Sequence, residues 1–457
     1  MKAKFIYNYL LIPFIALLLG SCSSPEVEAK FDENATDRLS GRQKELNDLL
    51  LSSSEGWKAV YYTDSTQLGG WTHLFKFLPQ GNVDMASDFS DTGTYRSQYN
   101  IQTGSTVSLV FTTKNKIHLL SDAANSPTSA LYAKGYLGDF QFFYYGQQKN
   151  GDIIFKTNRN GHFLRFAKAT AQDWTDLPKN VPVINGLAGD ATSPLFRLLQ
   201  INDGTTTKDY QFDYNALARF ATGSSLDPAV KESYDFAFSF NPTGAFSKLP
   251  LEVKGQKLSN FTFDPTSKSF TATGTGGVSA SIKYSNTPLS LTDDYKILQV
   301  ANANVVYGHD RSILTAAATN SALFLSLFKD IEASMPAGTT LLRVQPWFST
   351  PNGSYVEYRF SNAAGVLTRV YHFFTLSVDE TKKVIILTPT PKWTSGATFA
   401  SALPIPAPAN LKAMDDQLMN PAGLYFKREN FTVGATNTVF TFTSASSPFR
   451  MTTWAFQ

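Results

Sequence analysis

The chain has a single cysteine, Cys22, in 457 residues. No disulfide can form within it, so its stability must come from burial of apolar surface rather than from cross-links. Charge is also sparse. Charged residues make up 17% of the sequence, below the ~25% usual for soluble domains. The formal net charge is only +3, and like charges never run to five in a row. That excludes the basic arm or face on which nucleic-acid binding depends. Histidine is scarce too: His73, His118, His162, His309 and His372 are the full set. No two are spaced as a helical zinc pair, and His-Glu-x-x-His does not occur, so neither a metal site nor another cofactor is expected. Gly-x-Ser-x-Gly is missing as well, which removes the usual nucleophile elbow.

Long apolar runs are limited to the N-terminus. Lys2 and Lys4 precede the stretch Leu10–Leu19, which is too short for a spanning helix of ~20 residues. Leu19-Gly20-Ser21-Cys22 follows: an aliphatic residue, two small ones and the only cysteine. This is the pattern of a lipobox, in which a peptidase cuts before the cysteine and its thiol takes a diacylglycerol. Residues 1–21 are therefore expected to be a signal peptide, Cys22 the lipidation site, and 22–31 a tether. The expected location is the cell envelope, on the outer membrane by a lipid anchor, with surface exposure.

Beyond the tether, Leu39, Leu46, Leu49 and Leu50 form one apolar stripe, capped by Asn34 or Thr36. This predicts a helix that ends near Gly56. From Trp57 the hydrophobic period changes to two. Trp57–Tyr62, Trp71–Leu78, Tyr95–Ile101, Val107–Thr112, Phe140–Tyr145, Asp152–Thr157 and His162–Ala167 read as strands with short turns and no helices between them. The pattern continues past residue 234, with a second helix predicted near 321–334 and a short one near 411–419. The fold class is mainly β, an antiparallel meander, sandwich or barrel, with a few packed helices. Pro178, Pro182, Gly186, Gly189 and Pro194 mark a break. It divides a helix-plus-β domain (32–178) from a C-terminal β-rich domain (195–457), with a linker at 179–194.

Several of these segments carry a resemblance. Phe31-Asp32-Glu33-Asn34-Ala35-Thr36-Asp37-Arg38, Leu49-Leu50, Gly56-Trp57-Lys58-Ala59-Val60-Tyr61-Tyr62, Phe75-Lys76-Phe77 and Gly81-Asn82-Val83 stand in that order. Gly138-Asp139-Phe140-Gln141-Phe142, Asn241-Pro242-Thr243-Gly244 and Pro250-Leu251-Glu252-Val253-Lys254-Gly255 follow. Behind a lipobox, this order resembles a family of Bacteroidota lipoproteins known as domain of unknown function 4302. The resemblance implies an outer-membrane lipoprotein, often encoded near starch-utilisation-type importers and a zinc peptidase lipoprotein, with no assigned activity. Surface-exported lipoproteins of that phylum often carry an acidic cluster after the cysteine. Here Ser23-Ser24-Pro25-Glu26-Val27-Glu28 holds only two separated glutamates.

Chemistry-bearing residues are few. Asp88 with Asp91, Asp293 with Asp294 and Asp415 with Asp416 are close carboxylates, but turns and helix surfaces account for such pairs, and no catalytic residue is assigned. Aromatic side chains are abundant: 36 Phe, 20 Tyr and 6 Trp. Trp57, Trp174 and Trp454 read as packing residues. Trp71, Trp347 and Trp393 lie beside Gly- or Pro-containing turns, which predicts exposure and makes them candidate platforms for a ligand. Two functions follow. One is a non-catalytic binding or accessory lipoprotein of an uptake system that takes a glycan or peptide, or docks on an outer-membrane importer. The other is a hydrolase of an extracellular polymer, its site assembled from scattered residues.

Overall fold

The computed structural model describes residues 34–190, 192–227, 229–300, 304–433 and 435–456. Helix α1 (Ala35–Leu51) starts where Asn34 accepts a hydrogen bond from the Asp37 amide. Leu46 and Leu50 turn inward from it, and the Trp57 indole N–H donates to the Leu50 carbonyl at 3.0 Å. The helix thus seals against the barrel that follows.

That barrel is a meander of eight strands: β1 (Trp57–Tyr62), β2 (Gly70–Leu78), β3 (Asn82–Ser87), β4 (Tyr95–Thr103), β5 (Val107–Phe111), β6 (Gln141–Gln147), β7 (Ile153–Thr157) and β8 (Phe163–Lys168). The period-two pattern sorts each strand. In β1, Trp57, Ala59 and Tyr61 are buried, while Lys58, Val60 and Tyr62 turn outward. Inside, Phe75, Phe111, Phe142, Phe155 and Phe166 fill the core, with Phe75 stacked on Phe166 at 4.7 Å. Closure is slight. Only Trp57↔Lys168 and Lys58↔Ala167 pair β1 with β8.

A second eight-stranded barrel follows: β9 (Phe196–Asp203), β10 (Thr207–Asn215), β11 (Phe220–Ser225), β12 (Ser233–Asn241), β13 (Gly244–Val253), β14 (Gln256–Asp264), β15 (Ser269–Thr273) and β16 (Val278–Ser285). It closes on eight residue pairs between β9 and β16, from Val278↔Asp203 to Ser285↔Phe196.

The third sheet contains β17 (Val305–Asp310), β18 (Thr340–Thr350), β19 (Gly353–Ser361), β20 (Leu367–Asp379), β21 (Val384–Gly396), β22 (Leu403–Pro404), β23 (Leu424–Val433), β24 (Ala435–Ser444) and β25 (Arg450–Phe456). Its pairings run β20-β19-β18-β17-β25-β24-β23-β21 and return to β20, with β22 attached outside. The core of this ring also takes in α5 (Ala322–Ala333) and α6 (Lys412–Leu418), through Phe324, Phe328, Ile331, Met414 and Leu418. Between β17 and α5 lies the single turn α4 (Arg311–Leu314).

The mainly β, antiparallel fold with a few helices is thus as the sequence pattern implies, but its division is finer. The stretch expected to be a linker, 179–194, holds α3 (Asn180–Ala188), and α2 (Ala171–Asp176) lies just before it. Its punctuating residues serve the helix. Pro182 sits in the first turn, where no amide partner is lost. A Cβ on Gly186 would meet the Phe263 ring at 2.5 Å, and Gly189 leaves the helix at φ +77°. Residues 195–457 hold the second barrel and the nine-stranded third sheet.

The first two barrels are welded by a buried ion pair. The Arg219 guanidinium donates to Asp88 Oδ1 and to the Gly70 carbonyl, both at 3.0 Å, and to the Asp88 carbonyl at 2.6 Å. Asp88 also accepts from the Thr72 amide and from Asn180 Nδ2. Its side chain is 0% exposed and that of Arg219 only 5%. Every formal charge and most lone pairs in this knot are matched, which is the condition under which a buried pair is tolerated. Gly69 lets the chains approach: a Cβ there would lie 2.3 Å from the Phe238 carbonyl oxygen.

Candidate ligand-binding groove beside the first barrel

The sequence-predicted residues are scattered by the fold. Cys22 lies outside the described residues. Trp71 is 2% and Trp393 is 7% exposed, which corrects the exposure expected of them. Trp71 belongs to the first barrel's core, edge-on to Phe89 and Tyr136 at 5.8 and 5.1 Å. The neighbouring Gly69-Gly70 marks close approach of two barrels, not an open turn. Trp393 lies flat on His372, their ring centres 3.9 Å apart. Trp347 is half-buried against Tyr355. No two of the three share a surface on which one ligand would lie.

The carboxylate pairs likewise divide. Asp88 is in the buried knot, while Asp91 binds Lys116 Nζ at 2.6 Å, which holds its carboxyl down to about 2. Asp293 pairs with Lys296 and Lys383. Asp415 binds His372 Nδ1 at 2.8 Å, whereas Asp416 pairs with Lys412.

The Asp415–His372 contact has the form of the orienting half of a hydrolytic triad. Its far nitrogen is occupied, however: His372 Nε2 donates to the Thr390 carbonyl at 2.8 Å. Tyr358 donates to the other Asp415 oxygen, and burial pushes that phenol well above its ordinary value. The imidazole therefore has no free position from which to take a proton from a nucleophile. Among the described residues no three His, Cys, Asp or Glu side chains gather as a metal site would require.

A different place combines exposure, rings and charge. Because β1 and β8 pair only at one end, their outer faces part beyond Lys58↔Ala167. At the other end His162 bridges the gap, its Nδ1 donating to the Thr63 carbonyl at 3.0 Å. Between these ties lies a hollow of about 680 Å³, lined by Val60 and Tyr62 on one side and Phe163 and Arg165 on the other. It adjoins a second hollow of about 330 Å³ that runs onto the second barrel, reaching Phe246 and Asn260. Together they form a groove crossing from one barrel to the next, with Lys58, Val60, Tyr62 and Lys248 common to both.

Its rings are placed by the sheet. Phe163 alternates outward in β8 and is 65% exposed. Tyr145 is the extra residue where the β6–β7 register shifts between Tyr144 and Gly146. Such a bulge re-aims a side chain: Tyr144 stays buried and Tyr145 is 60% exposed, edge-on to Phe163 at 5.3 Å. Tyr62 donates to Ser239 Oγ at 2.7 Å, tying the two barrels across the groove floor. Burial pushes its phenol up to about 12, so it is a fixed wall and not an acid in the physiological range. The sequence did signal these rings as strand residues. It held no sign that they would meet.

A further cleft with charged walls, of about 570 Å³, lies between the second barrel and the third ring. It contains two carboxylates, Asp213 and Glu429, but Glu429 is held by both oxygens on Arg450 Nη2 at 3.0 Å and accepts from Thr441 as well. Asp213 accepts from Gln211.

Fold and groove together define a tandem β-barrel protein with an open, ring-lined surface channel. The chain belongs to the family described as Domain of unknown function (DUF4302), whose profile matches residues 27–265. The matched span takes in the first barrel, the knot and the groove, and ends after β14. A search of curated proteins finds no match.

Proposed function

We propose that the protein is a non-catalytic binding lipoprotein of the cell envelope, anchored through Cys22, that holds an extended extracellular polymer for an outer-membrane importer. The observation that carries this reading is the groove: an open channel walled by exposed Phe163, with exposed Tyr145 edge-on beside it, continuous across two barrels. An open channel suits a chain that passes through it, whereas a small substrate calls for an enclosed pocket. The lipobox supports the location. A hydrolase is not favoured, because His372 is occupied at both nitrogens and Glu429 is locked by Arg450.

The test is direct. Purified protein is titrated with soluble polysaccharides and with extended peptides, and with Phe163→Ala and Tyr145→Ala in parallel. A ring stacked on a sugar face contributes ~1 kcal/mol, so each variant should bind about fivefold more weakly with an unchanged melting temperature. If both variants bind every retained polymer like wild type, the groove is not the site.

A further inference from the structure

We infer that the polymer held in the groove is an anionic polysaccharide, one whose sugars carry carboxylates, as uronic acids do. This rests on the reading of the groove as a polymer site and adds the charge of its ligand.

The reason is a local imbalance in the larger of the two hollows. The protein as a whole is close to neutral, with 40 basic and 37 acidic side chains. Yet the larger hollow is lined by Lys58, Arg165 and Lys248 and by no carboxylate. Lys248 Nζ lies over the Tyr62 ring at 5.7 Å. Beside it, Lys156 Nζ stands 5.7 Å from the centre of Phe163 and 5.9 Å from that of Tyr145. Neither Lys156 nor Lys248 has a carboxylate partner among the described residues. Lys58 and Arg165 do have partners, Asp173 at 2.8 Å and Asp152 at 3.1 Å; Asp152 lines neither hollow, whereas Asp173 lines the smaller one with Asp176, itself paired with Lys179. Arg165 spends one terminal nitrogen on Asp152 and keeps the rest of its fork.

Lys156 and Lys248, with no carboxylate of their own, add like charges that repel one another, and a groove focuses their field. An anionic ligand relieves that repulsion. The rings add the second half of the argument. A pyranose lying flat on Phe163 presents its ring carbons to the aromatic face. A uronate bears its carboxylate directly on a ring carbon, so the charge emerges at the rim of the stacked sugar. There the Lys156 ammonium flanks Phe163 and Tyr145, and that of Lys248 stands over Tyr62 in the facing wall. A neutral glycan would use the rings and leave the lysines idle.

The experiment compares polygalacturonate with its methyl-esterified form of matched length, in which each carboxylate charge is replaced by a neutral methyl ester. Dextran sulfate and polyglutamate serve as other polyanions. Wild type, Lys156→Gln, Lys248→Gln and the distant control Lys44→Gln are titrated at low and raised salt, with melting curves to confirm folding. The expected result is at least tenfold tighter binding of polygalacturonate than of its ester, weakening as salt is added. Each groove variant should lose threefold to tenfold, and Lys44→Gln nothing. Equal binding of acid and ester overturns the anionic assignment while polymer binding stands. Tighter binding of dextran sulfate or polyglutamate than of polygalacturonate overturns the uronate class. If no polysaccharide or peptide binds wild type, the polymer reading falls together with it.

Discussion

The first and second barrels have the same strand number and the same meander, yet they are closed very differently. β9 and β16 share eight residue pairs, whereas β1 and β8 share two. In the second barrel the closing ladder spends the edges of both terminal strands. In the first, those edges are left to diverge, and the outward residues Val60, Tyr62, Phe163 and Arg165 become the walls of a channel. An incomplete closure costs ladder hydrogen bonds, and it survives here because the barrel is braced elsewhere: by α1 at one end and by the Asp88–Arg219 knot against its neighbour. The comparison suggests that the intact barrel acts as a buttress for the split one.

The sharpest way to break that arrangement is at the knot. Arg219→Met leaves the Asp88 carboxylate buried without its cation, a change that costs ~3–5 kcal/mol in such settings. The expected outcome is a large fall in the urea midpoint. Because Arg219 stands on the second barrel and Asp88 on the first, the double variant Asp88→Asn/Arg219→Met should recover part of the loss. Were Arg219→Met to melt within 1 °C of wild type, the buttress would be elsewhere.

How much of this was legible beforehand follows from distance along the chain. Local patterns were readable: the leucine stripe of α1 and the alternation of β1 need only their own residues. The knot joins Asp88 to Arg219 across 131 positions, and no local pattern announces such a pair. Tyr145 reads as an ordinary strand residue until the register shift beside it is known. The tryptophans were misplaced for a related reason. Gly69-Gly70 before Trp71 has the composition of a turn, but the glycine is there because another barrel's backbone presses on it. Pro182 and Gly186 misled in the same way, as helix punctuation with the look of a linker. Residues that permit close contact and residues that permit a loop are the same residues.

A second prediction separates the barrels by acid. His73 and His309 are buried in the first barrel and third ring, and no histidine occurs in residues 196–285. Burial depresses their proton affinities to about 3 for His73 and about 4 for His309. Unfolded, both would take up a proton near pH 6.5. Below that pH the unfolded state binds more protons than the folded one, so stability falls as pH drops from 6.5 towards 4 and is complete above it. The slope should approach ~1.4 kcal/mol per pH unit for each histidine. Urea midpoints at pH 7 and 4.5 measure it, and His73→Leu or His309→Leu should flatten the profile in its own unit. An unchanged slope in both variants would mean that carboxylates alone set the acid limit.

The smallest expected effect tests the comparison itself, without any mutation. Amides of residues 59–62 and 163–166 that point away from β2 and β7 have no ladder partner across the gap. Their counterparts in β9 and β16 are paired along the whole closing seam. Hydrogen exchange in strands requires local opening, and an unpaired seam opens at lower cost than a laddered one. These amides should therefore exchange at least tenfold faster than those of the β9–β16 seam, a difference of about 1.4 kcal/mol in opening free energy. The neighbouring amides that face β2 and β7 act as an internal control, since their ladders are continuous and they should remain protected. Adding saturating polygalacturonate sharpens the test. A ligand lying in the channel would slow exchange at Val60, Tyr62 and Arg165 while leaving β9 and β16 untouched, because only the former line it. Equal protection of both seams in the free protein would instead show that the two barrels are closed alike in solution, and the channel would then be a surface hollow rather than an opening in the sheet.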